Sequence, residues 1–291
     1  MTRQPPPTPR GVLLDLSGTL HVGETLVTGA VGAVARLRRH VPRLLFLTNT
    51  STRSSTGLLA QLHTLGLTDV RRDELLTSLI ATRRYLKQKK LRPLCLLEDT
   101  SDLEENSGEE ADSGIDLTPP HNAVVVGLAP SNFHYSQLNE AFRILLKYPQ
   151  GLIAVHRGNY LRDADGDLSL GPGAFVTALE TASDCEPATV MGKPTQAFFE
   201  SALMTWRNYG QKIAIDNDDD ESEPLSPDQV AMIGDDVFAD LQGAADAGIG
   251  IRILVQTGKY QEGDENKVAN GVVTAVVPSI VEAVEYLFGP Q

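Results

Sequence analysis

The chain has 291 residues, 41% of them hydrophobic, and a formal charge of −13, so it holds enough apolar material for two modest cores. Seven acids lie in residues 102–116 and seven in 216–228 with no Lys or Arg in either, while the other 24 acids nearly balance 25 bases; with no basic face and two acidic segments, nucleic acid is excluded as a partner. No apolar run approaches the ~20 residues that span a bilayer, residues 1–10 are Pro-rich and polar rather than a secretory leader, and Cys95 and Cys185 lack metal-ligand spacing, so a cytoplasmic protein with reduced thiols and no membrane partner is expected.

Gly11–Leu14 is an apolar run of strand length that ends in Asp15. Gly18 then permits a sharp turn, which predicts a buried strand with a carboxylate at its carboxyl end. Gly29–His40 places Val31, Val34, Ala35 and Leu37 on one helical face, with Arg36, Arg38 and Arg39 in the last turn, where cations suit the helix dipole. Leu44–Leu47 is a second buried strand ending in Thr48-Asn49-Thr50, and strand, helix, strand argues for parallel pairing. Ser54–Leu65 and Asp73–Lys87 read as two more helices.

Leu94–Leu97, Ala123–Val126 and Leu152–Val155 read as three further strands, the last running into His156. Between the second and third, Tyr135–Leu146 is a helix burying Leu138, Phe142 and Leu145. Residues 100–120 interrupt this alternation as an acidic surface loop. Ala188–Met191 is another buried strand and leads into Gly192-Lys193-Pro194, with a helix over Thr195–Tyr209. Residues 215–229 are a second acidic insertion; Asp216–Asp220 lacks the Gly and terminal Glu of a calcium loop. Val230–Ile233 closes in Gly234-Asp235-Asp236, with Asp240 beyond. A helix over Asp236–Ala247 stopped by Gly248, strands at Ile249–Val255 and Val272–Val277, and a helix over Ile280–Phe288 complete the chain.

Four apolar strands thus end in polar groups, where open α/β sheets keep their ligands. Their order is carboxylate, hydroxyl, ammonium, paired carboxylates. Each tip alone is ordinary turn composition; the ordered set resembles the four motifs of the haloacid dehalogenase superfamily of phosphotransferases. The stretch of about 140 residues between Thr48 and Lys193 is where the second class of that superfamily carries an α/β cap. Gly127–Pro130, Gly171–Glu180 and Thr257–Tyr260 also resemble members of this class. The resemblance implies an α/β fold: a Rossmann-like parallel-sheet core from residues 1–76 and 188–291, with an inserted α/β cap domain at 77–187. Caps of this class often pair, which implies a homodimer through the cap.

The same resemblance implies a Mg²⁺-dependent phosphohydrolase in which Asp15 is the nucleophile and becomes transiently phosphorylated. Asp15, Asp235 and the backbone carbonyl of Ser17 are the implied ligands, hard oxygens that suit Mg²⁺. Ser17, Thr48, the Asn49 amide and Lys193 are expected around the phosphoryl group, with Lys193 offsetting charge on it and on the nucleophile. Asp240 is expected to act through water or to brace Lys193, and Asp236, one turn earlier, to cap its helix. In one place the chain departs from the pattern. Ser17 stands where most phosphatases of the superfamily carry the Asp that protonates the leaving group, a loss worth ~10² to 10⁴ in rate. The expected substrate is therefore a small phosphorylated compound or phospho-amino acid with a good leaving group, such as pyrophosphate, a phosphoramidate or an aryl phosphate. His21 is an alternative acid. The departure also supports a second expectation, a catalytically impaired phosphate- and metal-binding or regulatory protein of the same fold. No Gly-x-Gly-x-x-Gly or phosphate-binding Gly-x₄-Gly-Lys-Ser/Thr follows a strand, which sets aside oxidoreductase and nucleotide kinase chemistry.

Overall fold

The structure is a computed structural model describing residues 7–104, 114–162, 167–213 and 225–290. In chain order its elements begin with β1 (Gly11–Asp15), the short β2 (His21–Val22) and β3 (Thr25–Leu26), α1 (Ala30–His40), β4 (Arg43–Thr48) and α2 (Ser55–Thr64). Next come β5 (Leu75–Thr77), α3 (Ser78–Lys89), β6 (Pro93–Leu96), α4 (Ser101–Glu104), β7 (Ala123–Val126), α5 (Tyr135–Lys147) and β8 (Leu152–Ala154). The chain continues through β9 (Tyr160–Arg162), β10 (Leu168–Leu170), α6 (Pro172–Ser183), β11 (Thr189–Val190), α7 (Gln196–Ile213) and β12 (Val230–Gly234). A π-helical segment, Val237–Gln242, runs into α8 (Gly243–Asp246), and β13 (Ile251–Val255), β14 (Ala275–Val277) and α9 (Ile280–Phe288) finish the fold. Among the described residues no helix is long and apolar enough to cross a membrane.

The chain divides into two compact units, Met1–Thr48 with Gln61–Leu76 and Lys193–Gln291, and Asn49–Ala60 with Thr77–Gly192. The first unit carries a six-stranded sheet in the order β14-β13-β12-β1-β4-β5. Its central strand β1 is buried along its whole length, as expected of a strand covered on both faces. Parallel ladders align Leu14 with Ile233 of β12 and Asp15 with Leu47 of β4. Asp15, Thr48 and Asp235 therefore emerge at the carboxyl ends of three adjacent strands. Arg36 of α1, itself buried, donates to the Gly289 carbonyl at 2.6 Å and so closes the carboxyl end of α9, where a cation meets the helix dipole.

The second unit has its own four-stranded sheet, ordered β11-β8-β7-β6 and parallel at each pairing. Leu96, Val124, Val126, Leu152, Leu145 and Val176 form its core together with α5 and α6. The rings of Phe133 and Phe175 stack at 3.6 Å between centroids.

Several elements differ from those expected. On α1 the buried stripe is Ala30, Ala33, Val34 and Leu37, whereas Val31 and Ala35 are exposed. Both sets fit a helical period, and the packing of α1 on its neighbours selects between them. The helix expected over Asp73–Lys87 begins only at Ser78, because Leu75–Thr77 joins the sheet as β5 and Thr77 Oγ1 caps α3 by accepting from Ile80 N at 3.1 Å. The strand before Lys193 pairs with β8 in the second unit, not with the first unit's sheet; an apolar run does not encode which sheet it joins. The hairpin β9/β10 was not foreseen. Asp236–Ala247 is π-helical in its first part and α-helical only over Gly243–Asp246. Asp102, counted among the solvated acids, is buried and accepts from Ser55 N and Oγ at 2.9 and 2.7 Å, so it caps the amino end of α2. Most of the remaining acidic stretches, 105–113 and 214–224, lie outside the described residues.

Candidate active site

The structure gathers four of the expected polar residues into one buried cluster within the first unit. Asp15, Asp235 and Asp240 each contribute a carboxylate oxygen to a group lying within 4.8 Å of one another. Lys193 sits among them, its Nζ 2.5 Å from Asp15 Oδ1 and 2.6 Å from Asp240 Oδ1. All four are at most 6% exposed. Thr19 Oγ1 donates to the other Asp15 oxygen at 3.1 Å, a contact that nothing in the sequence singled out. Asp240 Oδ2 accepts from Asp236 N at 3.1 Å, and the Asp236 carboxylate accepts from Phe238 N and Ala239 N at 3.0 and 2.9 Å. Asp236 is thus a helix cap and Asp240 braces Lys193.

Thr48 is buried at the end of β4, one residue beyond the pairing of Leu47 with Asp15. Asn49 belongs to the second unit, where its Oδ1 lies 2.5 Å from the point a side chain on Gly192 would occupy. Ser17 is exposed and bridges to His21 through the backbone. His21 is buried; its Nδ1 is 2.8 Å from the Gly23 carbonyl, and its Nε2 has no partner among the described residues. A carbonyl only accepts, so this contact places a proton on Nδ1.

Three buried carboxylates and one buried ammonium leave an excess of negative charge. Burial, then Asp15 and Asp240, push the Asp235 carboxyl well above the ordinary carboxylate range. Burial likewise raises Asp240, although Lys193 opposes it. Burial alone would lower the Lys193 pKa, but Asp15 and Asp240 outweigh it and hold the ammonium protonated. Among the described residues the single hydrogen bond to the Asp235 carboxylate comes from Lys259 N, at 2.7 Å to Oδ2. The Lys259 ammonium, exposed and 3.5 Å from Asp236, opposes the rise at Asp235 but does not cancel it. An unneutralised buried donor set of hard oxygens fits a divalent cation such as Mg²⁺, and Asp15 and Asp235 are the residues that could hold it.

Room for this crowding comes from glycine. Gly18 has φ +92° and a Cβ there would lie 1.9 Å from Asp235 Oδ2; Gly258, at φ +61°, would place one 2.2 Å from the same atom. No other residue tolerates both that backbone and that proximity.

Known proteins match this chain over most of its length. The family model described as haloacid dehalogenase-like hydrolase matches residues 12–107, and a second, HAD-hydrolase-like, matches 190–283. The human haloacid dehalogenase-like hydrolase domain-containing protein 2 is 44% identical over 261 residues, covering 89% of this chain and 88% of the relative. The rat phospholysine phosphohistidine inorganic pyrophosphate phosphatase is 36% identical over 283 residues, covering 96% and 94%. A glycerol phosphate phosphatase from Mycobacterium tuberculosis, solved in complex with magnesium, has the same fold at 23% identity, with a TM-score of 0.74 and coverage of 94% of this chain and 76% of that one. With three of the four motif tips meeting in one buried cluster and relatives matching over most of its length, the chain belongs to the haloacid dehalogenase-like hydrolases.

Proposed function

We propose that this hydrolase is a Mg²⁺-dependent phosphatase that works through an aspartyl-phosphate on Asp15 and favours substrates with good leaving groups. The observation that carries this reading is the Asp15 carboxylate held between Lys193 and Thr19 beside the under-neutralised Asp235. Asp15, Asp235 and the Ser17 carbonyl would hold the ion, which supplies the positive charge that draws a phosphate dianion towards a carboxylate. Lys193 orients Asp15 for attack and stabilises negative charge that develops on the transferring group. As the bond from Asp15 oxygen to phosphorus forms, the bond from phosphorus to the leaving group breaks; water then attacks phosphorus, releasing phosphate and regenerating the carboxylate. Thr48 and Asn49 are assigned to the phosphoryl oxygens and the second unit to the cap. The free thiols of Cys95 and Cys185 accord with work in the cytoplasm.

Ser17 has no carboxyl to protonate a departing alkoxide. Pyrophosphate, phosphoramidates and aryl phosphates need that proton least. The test is Mg²⁺-dependent phosphate release from these and from sugar phosphates, with and without chelator, by the wild type and Ser17→Asp. Selective turnover of the first group by the wild type, and a gain on alkyl esters of ~10²-fold in Ser17→Asp, are expected; better alkyl-ester turnover by the wild type overturns the preference. The exposed Ser17 also favours a second reading, a phosphate- and metal-binding protein with little turnover. Beryllium fluoride with Mg²⁺ would stabilise either, but only the phosphatase releases phosphate in a way that requires Asp15.

A further inference from the structure

We propose that the turn Thr257–Lys259, which follows β13, is a clip that positions the metal-holding groups, with Thr257 as its positioning residue; this rests on the metal-dependent reading above. None of its residues belongs to the four polar strand ends. The ladder pairing Leu254 with Gly234 carries the turn past the end of β13 to the level of Asp235. From there it reaches two loops at once. Thr257 Oγ1 donates to the Gly18 carbonyl at 2.5 Å, and Lys259 N donates to Asp235 Oδ2 at 2.7 Å.

The two bonds act on two of the three proposed ligands. The carbonyl of Ser17 belongs to the peptide that ends at Gly18, so its direction depends on the backbone torsion at Gly18. Glycine alone leaves that torsion free to wander, and the hydroxyl of Thr257 restrains it. On Asp235, the Lys259 amide occupies Oδ2 and leaves Oδ1 without a protein donor among the described residues. Close contact completes the clip: a Cβ on Gly258 would stand 2.3 Å from Gly18 Cα as well as 2.2 Å from Asp235 Oδ2. Three loops thus knit around one carboxylate oxygen. Groups that orient metal ligands in this way typically affect metal affinity by 10- to 100-fold.

The test uses the full chain, with Mg²⁺ and Mn²⁺ binding measured by calorimetry, independently of turnover. Thr257→Val keeps the side-chain shape and removes the donor; its dissociation constant is expected to rise about 10-fold, whereas Thr257→Ser, which restores the hydroxyl, stays within about 2-fold of wild type. With p-nitrophenyl phosphate, Thr257→Val should recover most of its kcat at saturating Mg²⁺, with little change in substrate KM. Wild-type ion affinity in a Thr257→Val protein whose circular dichroism is unchanged overturns the clip alone. Equal weakening in Val and Ser variants overturns it too, since packing rather than the hydrogen bond would then be responsible. If the wild type itself binds neither ion, the metal-dependent reading fails and the clip fails with it.

Discussion

The two units are built from the same plan, a parallel sheet flanked by helices, yet they treat the carboxyl ends of their strands in opposite ways. In the first, β1 and β12 lead into buried charge that its own protein partners do not balance: Asp15, Asp235 and Asp240 against Lys193. In the second, the corresponding ends are satisfied from within. Ser51 Oγ accepts from Leu128 N at 3.1 Å and lies 3.3 Å from His156 Nε2, whose ring accepts from Gly158 N at Nδ1. The acids Asp99 and Asp102 accept from the amides of Ser54 and Ser55. One sheet keeps an unmet electrostatic demand and the other has met its own, which is how a binding site differs from a well-formed polar core.

This contrast breaks most severely at Asp15. Asp15→Asn is expected to lower turnover by about 10⁴-fold or more, read as phosphate release under saturating Mg²⁺. Fold stability is the more sensitive readout for Lys193. Lys193→Met leaves Asp15 and Asp240 buried without their cation, and urea unfolding should show a loss of about 3–5 kcal/mol, partly restored by added Mg²⁺.

A titration sharpens the comparison without mutation. Asp235 and Asp240 are raised above the ordinary carboxylate range in the folded protein. Between the unfolded carboxyl value, about 4, and the raised folded values, the folded state therefore holds more protons than the unfolded one. Metal-free stability should fall as pH rises through that window, by on the order of 1–3 kcal/mol between about pH 5 and pH 8. Mg²⁺ replaces the protons, so its stabilising effect should be larger at the higher pH; thermal melts at both pH values check the sign. The smallest effect belongs to the second unit: Asp102→Asn keeps one acceptor for Ser55 and should cost about 1–2 kcal/mol in urea, with no response to Mg²⁺.

The apolar runs and their polar ends were legible in the residue order because a buried parallel strand must be apolar throughout and turn chemistry must be polar. Val230–Gly234 and Ala123–Val126 emerged as strands, and Ile280–Phe288 emerged as a helix. Where two packings satisfy the same periodicity, the sequence does not decide between them. Periodicity points to Val31 on the buried face of α1, where Ala30 and Ala33 are buried instead, and the strand before Lys193 is expected in the core, whereas Thr189–Val190 joins the second unit's sheet; both choices depend on neighbours distant in the chain. Leu75–Thr77 shows a further limit: three residues are too few to separate strand from helix by period.

By itself the sequence determined the strand ends, the family they resemble and the Ser17 departure, since these are properties of residue type and order. Only the tertiary structure decided that Lys193 lies between Asp15 and Asp240, that Asp236 caps rather than joins the cluster, and that Thr257 and Lys259 reach Gly18 and Asp235. The physical reason is that a hydrogen bond between loops more than 200 residues apart, as from Thr257 to Gly18, arises from sheet register, and register is settled by the packing of the whole fold.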